Sequence, residues 1–323
     1  MDRICTVIPA FNDWESLQQL VVDLGRTGAE HGVRFELVIV DDSSTTLPPL
    51  TWSGLDSPGI GSLRIVRLAC NVGHQRAIAI GLVVSREQAE ACSAVVVLDA
   101  DGEDRPVDVV TLLSSSAKNP GSLICARRAR RSEPAPFRAF YVIYKFVFQQ
   151  LTGASIDFGN FCLIPKAALL AVVSQAGIWN HLAATLVRSR LSLVKIDTTR
   201  GLRYAGQSKM NFVSLVLHGL SAVAVYADVA LVRIALLATV LAGLAFAGIL
   251  VTIAVRLFTP WAIPGWASGV AGTLAILLFQ AVLTPGIGLF VVLSQRTART
   301  IVPLHDAPNF VESVRIVHAT TVD

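Results

Sequence analysis

Charge is scarce in this chain. Lys, Arg, Asp and Glu together supply 15% of its 323 residues, against 53% hydrophobic residues and a mean hydropathy of +0.59. That balance is too apolar for an ordinary soluble enzyme. The formal net charge of +4 is too small to argue for nucleic-acid binding. The five cysteines (Cys5, Cys70, Cys92, Cys125 and Cys162) contain no C-x-x-C pair, so no zinc site is visible, and their apolar settings read as small buried hydrophobes in a reducing compartment. There is no internal repeat and no low-complexity linker. The amino terminus runs straight into a strand-like segment without signal-peptide architecture, so the large amino-terminal part is expected in the cytosol.

The missing charge is concentrated near the carboxyl end. Between Arg233 and Arg256 no residue is charged, and Ile234 to Val255 at ~1.5 Å per helical residue spans a ~30 Å hydrocarbon layer. A second uncharged stretch, about Ala267 to Leu293, follows a turn rich in Pro and Trp, Pro260 to Trp266, suited to a membrane interface. Pro285-Gly286 is expected to kink this second span. The spacing predicts a two-helix hairpin. Lys209 and Arg233 before it and Arg296 and Arg299 after it, against Arg256 alone in the turn, favour both flanks on the cytoplasmic side. Phe212 to Tyr226, marked on one side by Ser214, His218 and Ser221, reads as an interfacial helix. Expected boundaries are 1–211 for the catalytic domain, 212–232 for a juxtamembrane amphipathic region, 233–295 for the two spans and 296–323 for a cytosolic tail.

Residues 4 to about 126 alternate strand and helix, which argues for an α/β fold with a mostly parallel, doubly wound sheet. Ala94 to Leu98 is a purely apolar run, as in a strand covered on both faces, and it ends in Asp99-Ala100-Asp101-Gly102-Glu103-Asp104. Ligands of open α/β sheets bind beyond such strand ends, and hard cations such as Mg²⁺ or Mn²⁺ take carboxylate oxygens together with substrate phosphates. A solvated acidic turn is the competing reading of the isolated motif. An EF-hand fails, because its sixth and twelfth positions are Asp104 and Val110. The basic run Arg127 to Arg131 fits either a solvated face or an anionic headgroup or phosphate.

Six motifs occur in order: Val7 to Asp13 (Val-Ile-Pro-Ala-Phe-Asn-Asp), Val40 to Ser44 (Val-Asp-Asp-Ser-Ser), Asn71 to Gln75 (Asn-Val-Gly-His-Gln), Asp99 to Asp104, Asp157 to Phe161 (Asp-Phe-Gly-Asn-Phe) and Arg203 to Lys209 (Arg-Tyr-Ala-Gly-Gln-Ser-Lys). Together they resemble the family-two, GT-A-fold glycosyltransferases, specifically those acting on polyprenyl phosphate. The resemblance runs to about Arg299. It implies a Rossmann-like GT-A domain followed by an interfacial helix and a transmembrane hairpin, anchored in the inner membrane with the catalytic domain in the cytoplasm. It implies inverting transfer from a nucleotide-sugar donor to an undecaprenyl or dolichyl phosphate, with Mg²⁺ or Mn²⁺, no nucleic acid, and homo-oligomers left open.

Position by position, the resemblance places Pro9, Phe11 and Asp13 around the donor base and Val40 and Asp42 at base and ribose. Gly73 and Gln75 shape the donor pocket. Asp99 and Ala100 touch the nucleotide, and Asp99, Asp101 and Glu103 hold the metal, with Glu103 where glutamine is usual and Arg105 where proline is common. Arg127 meets a donor phosphate, and Arg203, Ser208 and Lys209 close over the diphosphate. The implied catalytic residues are Asp157, Asp101 and Arg203, Asp157 as an orienting group first and a base second. Asn160 and Cys162 stand where the family often has an acidic residue and an arginine. His74 reads as a structural partner in its turn, and His181 and His218 receive no role. The processive signature Gln-x-x-Arg-Trp is absent. A transferase for another lipid or glycan and a non-catalytic membrane scaffold are the alternatives.

Overall fold

The computed structural model describes residues 1–128, 135–206, 212–260, 265–297 and 299–319. It divides into two compact units: Met1–Arg138 with Ile156–Val225 and Ile301–Asp323, and Ala139–Ser155 with Tyr226–Thr300.

The first unit is built on one eight-stranded sheet. Its strands are β1 (Asp2–Ala10), β2 (Val33–Asp41), β3 (Ile60–Leu68), β4 (Ala94–Val97), β5 (Leu123–Arg128), β6 (Cys162–Pro165), β7 (Leu193–Thr198) and β8 (Val311–Ala319), in the order β7-β5-β6-β4-β1-β2-β3-β8. β1, β2, β3 and β4 pair in parallel, as do β5 and β7, while β6 and β8 run antiparallel to their neighbours. Period-two alternation sends side chains to opposite faces, and both faces are covered. On one, Cys5, Val7, Val95 and Val97 pack with Ile78 and Leu82 of α2 (His74–Ala89). On the other, Ile4, Ile8 and Val96 pack with Leu17, Leu20 and Leu24 of α1 (Trp14–His31). That double burial is why the strands read as unbroken apolar runs. Each fully buried Ile or Leu contributes roughly 1.5–3 kcal/mol by removal from water. The remaining helices of this unit are α3 (Pro106–Lys118), α5 (Lys166–Val173), α6 (Leu182–Arg188), α7 (Phe212–Val225) and the short α10 (Pro303–Asp306).

Two expected boundaries move. The juxtamembrane region 212–232 is not one helix: α7 ends at Val225, whose carbonyl accepts from Arg188, and residues 227–232 belong to the next helix, α8 (Ala227–Phe258). The tail 296–323 is not a separate segment either. Its β8 lies antiparallel on β3 from Ser62 to Leu68, and the Ala69 amide donates to the Phe310 carbonyl at 2.9 Å, so the carboxyl end completes the sheet.

The second unit holds most of α4 (Ala135–Thr152), α8 and α9 (Trp266–Thr297). The helix continues through Pro285, and α8 and α9 are both long and apolar enough to cross a membrane. They pack antiparallel, since a Cβ at Gly248 would lie 3.0 Å from Leu274 and one at Gly288 would lie 2.8 Å from Leu231. Small residues at such crossings let apolar helices approach closely. Arg233 lies inside α8 rather than before it. Its guanidinium donates to the Gln150 carbonyl at 2.8 Å, a cation at the carboxyl end of α4 where the helix dipole favours one. Residues 261–264 of the expected interfacial turn lie outside the described residues.

Candidate active site

The parallel strands end together, and their tips carry the polar residues. After β1, Asn12 adopts a positive φ of 51°, and its side-chain oxygen accepts from the amides of Thr45 and Thr46 at 2.9 and 3.1 Å and from both of their hydroxyls. This ties the β1 tip to the β2 tip. Asp13 accepts from the Ser16 hydroxyl at 2.9 Å at the start of α1. An open cleft of about 190 Å³ is lined by Asn12, Asp13, Trp14 and Glu15 from this side and by Arg203, Ala205 and Gly206 from the other. Phe11 is exposed beside it, whereas Pro9 closes the buried end of β1.

Two of the expected donor contacts are otherwise engaged. The Val40 side chain is fully buried in the core, beneath Gly81 of α2, where an added Cβ would come within 2.7 Å of it. Asp42 is buried, and its carboxylate accepts from the Val72 and Gly73 amides at 2.7 and 2.9 Å. Burial raises its pKa against the lowering effect of those amides. Asp42 therefore clamps the Asn71–Gln75 turn. Gln75 is likewise a bridge: its oxygen accepts from the Leu182 amide at 2.7 Å and its nitrogen donates to Asn160 at 3.0 Å.

The acidic tip follows β4. The Asp99 amide donates to Asp104 at 3.2 Å and the Glu103 amide to Asp101 at 2.9 Å, which winds the tip into a tight turn through Gly102, at φ 85°. Ala100 is buried beneath it. The loop 199–206 docks on this turn. Gly201 and Tyr204 donate their amides to the Glu103 and Asp101 carbonyls, and the Tyr204 ring covers Gly102 so closely that no Cβ fits there. Tyr204 also donates its hydroxyl to Asp23 of α1 at 2.6 Å. The same loop brings two guanidinium groups to the carboxylates: Arg203 to Asp101 at 2.5 Å and to Glu103 at 3.7 Å, and Arg200 to Glu103 at 2.5 Å. Asp101 still has a raised pKa, chiefly through burial and then through the neighbouring Asp99 and Glu103 charges, which Arg203 only partly offsets. Arg105 turns away, pairing with Asp108 of α3 at 2.7 and 2.9 Å. Ser208 and Lys209 lie outside the described residues.

A second polar cluster sits at the ends of β5 and β7. Arg127 pairs with Asp197 through two bonds, 2.6 and 3.0 Å, and approaches Asp157 at 3.7 Å, while Lys195 meets the other Asp157 oxygen at 2.7 Å. Lys195 carries no local signal in the sequence beyond a lysine in a strand. His74 lies 3.4 Å from Asp99 and 3.1 Å from the Asn160 amide nitrogen. Burial disfavours its cation, but the carboxylates of Asp99, Asp101 and Asp104 outweigh that and raise its pKa. The two histidines without a sequence role stack on each other, His181 from the start of α6 and His218 from α7, with ring centroids 4.4 Å apart. Burial, with the neighbouring His218, pushes His181 down to about 3.

The amino-terminal part of the chain, from β1 through α5, matches a known family. The glycosyl transferase family 2 profile covers residues 5–172, just over half of the chain. The chain belongs to glycosyl transferase family 2. Its mostly parallel mixed sheet is of the GT-A type. Undecaprenyl-phosphate 4-deoxy-4-formamido-L-arabinose transferase of Sodalis glossinidius is 26% identical over 275 residues, covering 82% of this chain and 81% of that protein. Dodecaprenyl-phosphate galacturonate synthase of Rhizobium johnstonii is 24% identical over 177 residues, which is 54% of this chain but only about half, 51%, of that relative's length. Glucosyl-3-phosphoglycerate synthase of Mycobacterium tuberculosis, solved with Mn²⁺, UDP and phosphoglyceric acid, superposes with a TM-score of 0.51 at 13% identity, over 71% of this chain and 78% of that one. At that identity the likeness is one of fold.

Proposed function

We propose that this family 2 glycosyltransferase moves a sugar from a nucleotide donor to a polyprenyl phosphate, with inversion, at the cytoplasmic face of the inner membrane. The observation that carries the reading is the meeting of the Asp99–Glu103 tip with the Arg200–Arg203 loop beside the Asn12–Glu15 cleft. The names of the two relatives supply the acceptor class, and the two long apolar helices explain why such an enzyme is anchored where its acceptor resides. The segments on both sides of the helical pair, up to Val225 and from Ile301, belong to the same unit, which supports both flanks on one face of the membrane.

The donor set suits a hard dication. Three carboxylates fall within five residues, and burial and mutual repulsion raise the pKa of the central one. Among the described residues no three ligands already close around one point, so substrate phosphate oxygens would complete a shell begun by Asp99, Asp101 and Glu103. A bound Mg²⁺ or Mn²⁺ supplies charge neutralisation to the diphosphate leaving group. Arg203 and Arg200 hold that group where negative charge develops, and the family resemblance adds Ser208 and Lys209, which lie outside the described residues. The acceptor phosphate, with a second pKa near ~6, is already largely dianionic at neutral pH. Its oxygen forms the bond to the anomeric carbon as the bond to the diphosphate oxygen breaks, and no proton has to move. Asp157, with Lys195 and Arg127 against its two oxygens, fits an orienting role.

The test is transfer of radiolabel from a panel of nucleotide sugars to undecaprenyl phosphate by the full-length protein in detergent, with Mg²⁺ or Mn²⁺. A labelled lipid of inverted anomeric configuration is expected. No transfer from any donor refutes the acceptor assignment, and retention of configuration refutes the single displacement.

A further inference from the structure

α7 has two faces. Val213, Leu217 and Leu220, at i, i+4 and i+7, are 58–64% exposed, whereas His218, Ala222 and Val225, also at i, i+4 and i+7, face inward, the last two buried. His218 is the one polar member of that inward triplet, and it lies on His181. His181 is the cap of α6, where its Nδ1 accepts from the Ala184 amide at 3.3 Å. The amide directly after His181, that of Leu182, donates to the Gln75 side-chain oxygen at 2.7 Å.

From Leu182 each hydrogen bond dictates the next. A backbone N–H can only donate, so the Gln75 oxygen must face it and the Gln75 nitrogen must face the Asn160 oxygen, 3.0 Å away. The Asn160 nitrogen is thereby aimed at His74 Nε2, 3.1 Å away, a hydrogen bond formed when that nitrogen carries no proton, and the same nitrogen is 3.4 Å from Asp99. The direction of every amide in the chain is set at its α6 end. Among the described residues that line the Asn12–Glu15 cleft there is no member of this relay.

We infer that His218 is a positioning residue, which through its stack on His181 and the Leu182–Gln75–Asn160–His74 relay couples the helix α7 to the Asp99 end of the active site. Its contact with the relay is the ring stack on His181. Its influence is the orientation of His74 and the 157–161 loop against Asp99. The structural part stands on the ring stack, the hydrogen bonds and the approach of His74 to Asp99, and only the kinetic consequence rests on the proposed transfer reaction.

Two measurements test it on the full chain in phosphatidylcholine nanodiscs. Amide hydrogen exchange of His218→Ala should quicken at least about fivefold in peptides covering 158–161 and 181–184, with β1, β2 and β4 unchanged, and His218→Phe, which keeps a stacked ring, should restore protection. In transfer assays the same Ala variant should lower kcat about tenfold while the donor KM stays within about twofold, and Gln75→Ala should add little to it. Exchange that changes only within α7 overturns the coupling. So does an equal rise in exchange across the sheet, which would make His218 merely structural, or fully additive effects of His218→Ala and Gln75→Ala. If the wild type transfers no sugar, the proposed reaction falls, and the exchange data still decide the relay.

Discussion

Asp101→Asn should separate function from stability. In the folded protein Asp101 accepts from Arg203 at 2.5 Å, and both side chains are largely buried, 14% and 23% exposed. A hydrogen bond to a charged group contributes roughly 1.5–3 kcal/mol, and the substitution removes it, because the one acceptor oxygen left stays with the Glu103 amide and an amide NH2 then faces the guanidinium. Against that loss stands the relief of repulsion: two further carboxylates, Asp99 and Glu103, raise the Asp101 pKa after burial has done so. Glu103 is itself paired with Arg200, so the repulsion is chiefly that of Asp99, about 3 kcal/mol for one like charge at roughly 6 Å and an effective dielectric near 20. The two effects nearly cancel, so the net change should stay within about 1 kcal/mol, or about 2–4 °C in Tm.

The pH dependence has a definite sign. A carboxyl whose folded pKa is raised binds its proton more tightly in the folded state, so its favourable contribution is present below the ordinary carboxylate range and is lost as pH rises through the folded pKa. The wild type should therefore lose more stability between pH 4 and pH 7 than Asp101→Asn does. Function should respond differently. Losing a ligand and its charge at the diphosphate should lower kcat/KM at least about 10³-fold, near 4 kcal/mol of transition-state stabilisation. Differential scanning fluorimetry with and without Mn²⁺ and UDP, beside the transfer assay, reads both. A wild-type-sized thermal shift with Mn²⁺ and UDP in the variant would remove Asp101 from the cation site. A destabilisation above about 3 kcal/mol would show that the ion pair outweighs the repulsion.

Arg67→Ala should cost about 2–3 kcal/mol in urea unfolding, because it strips the cation from Asp41, whose side chain is 1% exposed, whereas Glu312→Ala on the outer side of the same arginine should cost no more than about 0.5 kcal/mol; equal costs would refute this ranking. Of the five cysteines only Cys70 is exposed, and burial raises the thiols of Cys92 and Cys125 to about 11 and about 12, so Ellman's reagent at pH 8 should label one thiol rapidly and the other four only after denaturation. A second fast thiol in the native protein would contradict the burial of Cys5, Cys92, Cys125 or Cys162.

What the sequence reveals and what it hides follow from how each feature is encoded. β1, β2 and β4 are legible because burial on both faces writes itself as a continuous apolar run, and the acidic tip is legible because its members are chain neighbours. β8 is not. It is an edge strand with Glu312, Val314, Arg315 and Ile316 exposed, it follows the two long apolar helices, and only its pairing with β3 makes it a strand of this sheet. The same distinction divides the site. Asp99, Asp101 and Glu103 can be read as cation ligands from spacing, but spacing says nothing of Arg200 and Arg203, which return from the other end of the domain to the same carboxylates. Val40 and Asp42 show the converse: their positions at a strand tip suggest ligand contact, whereas the pleat sends the Val40 side chain into the core and two backbone amides claim the Asp42 carboxylate. Residue types along the chain define which chemistry is available; the sheet order determines which charges meet. His74, Asn160, Gln75, His181 and His218 come from four separate segments, and no one segment carries a motif for the relay they form. A polar relay of this kind is specified only by the fold that closes it.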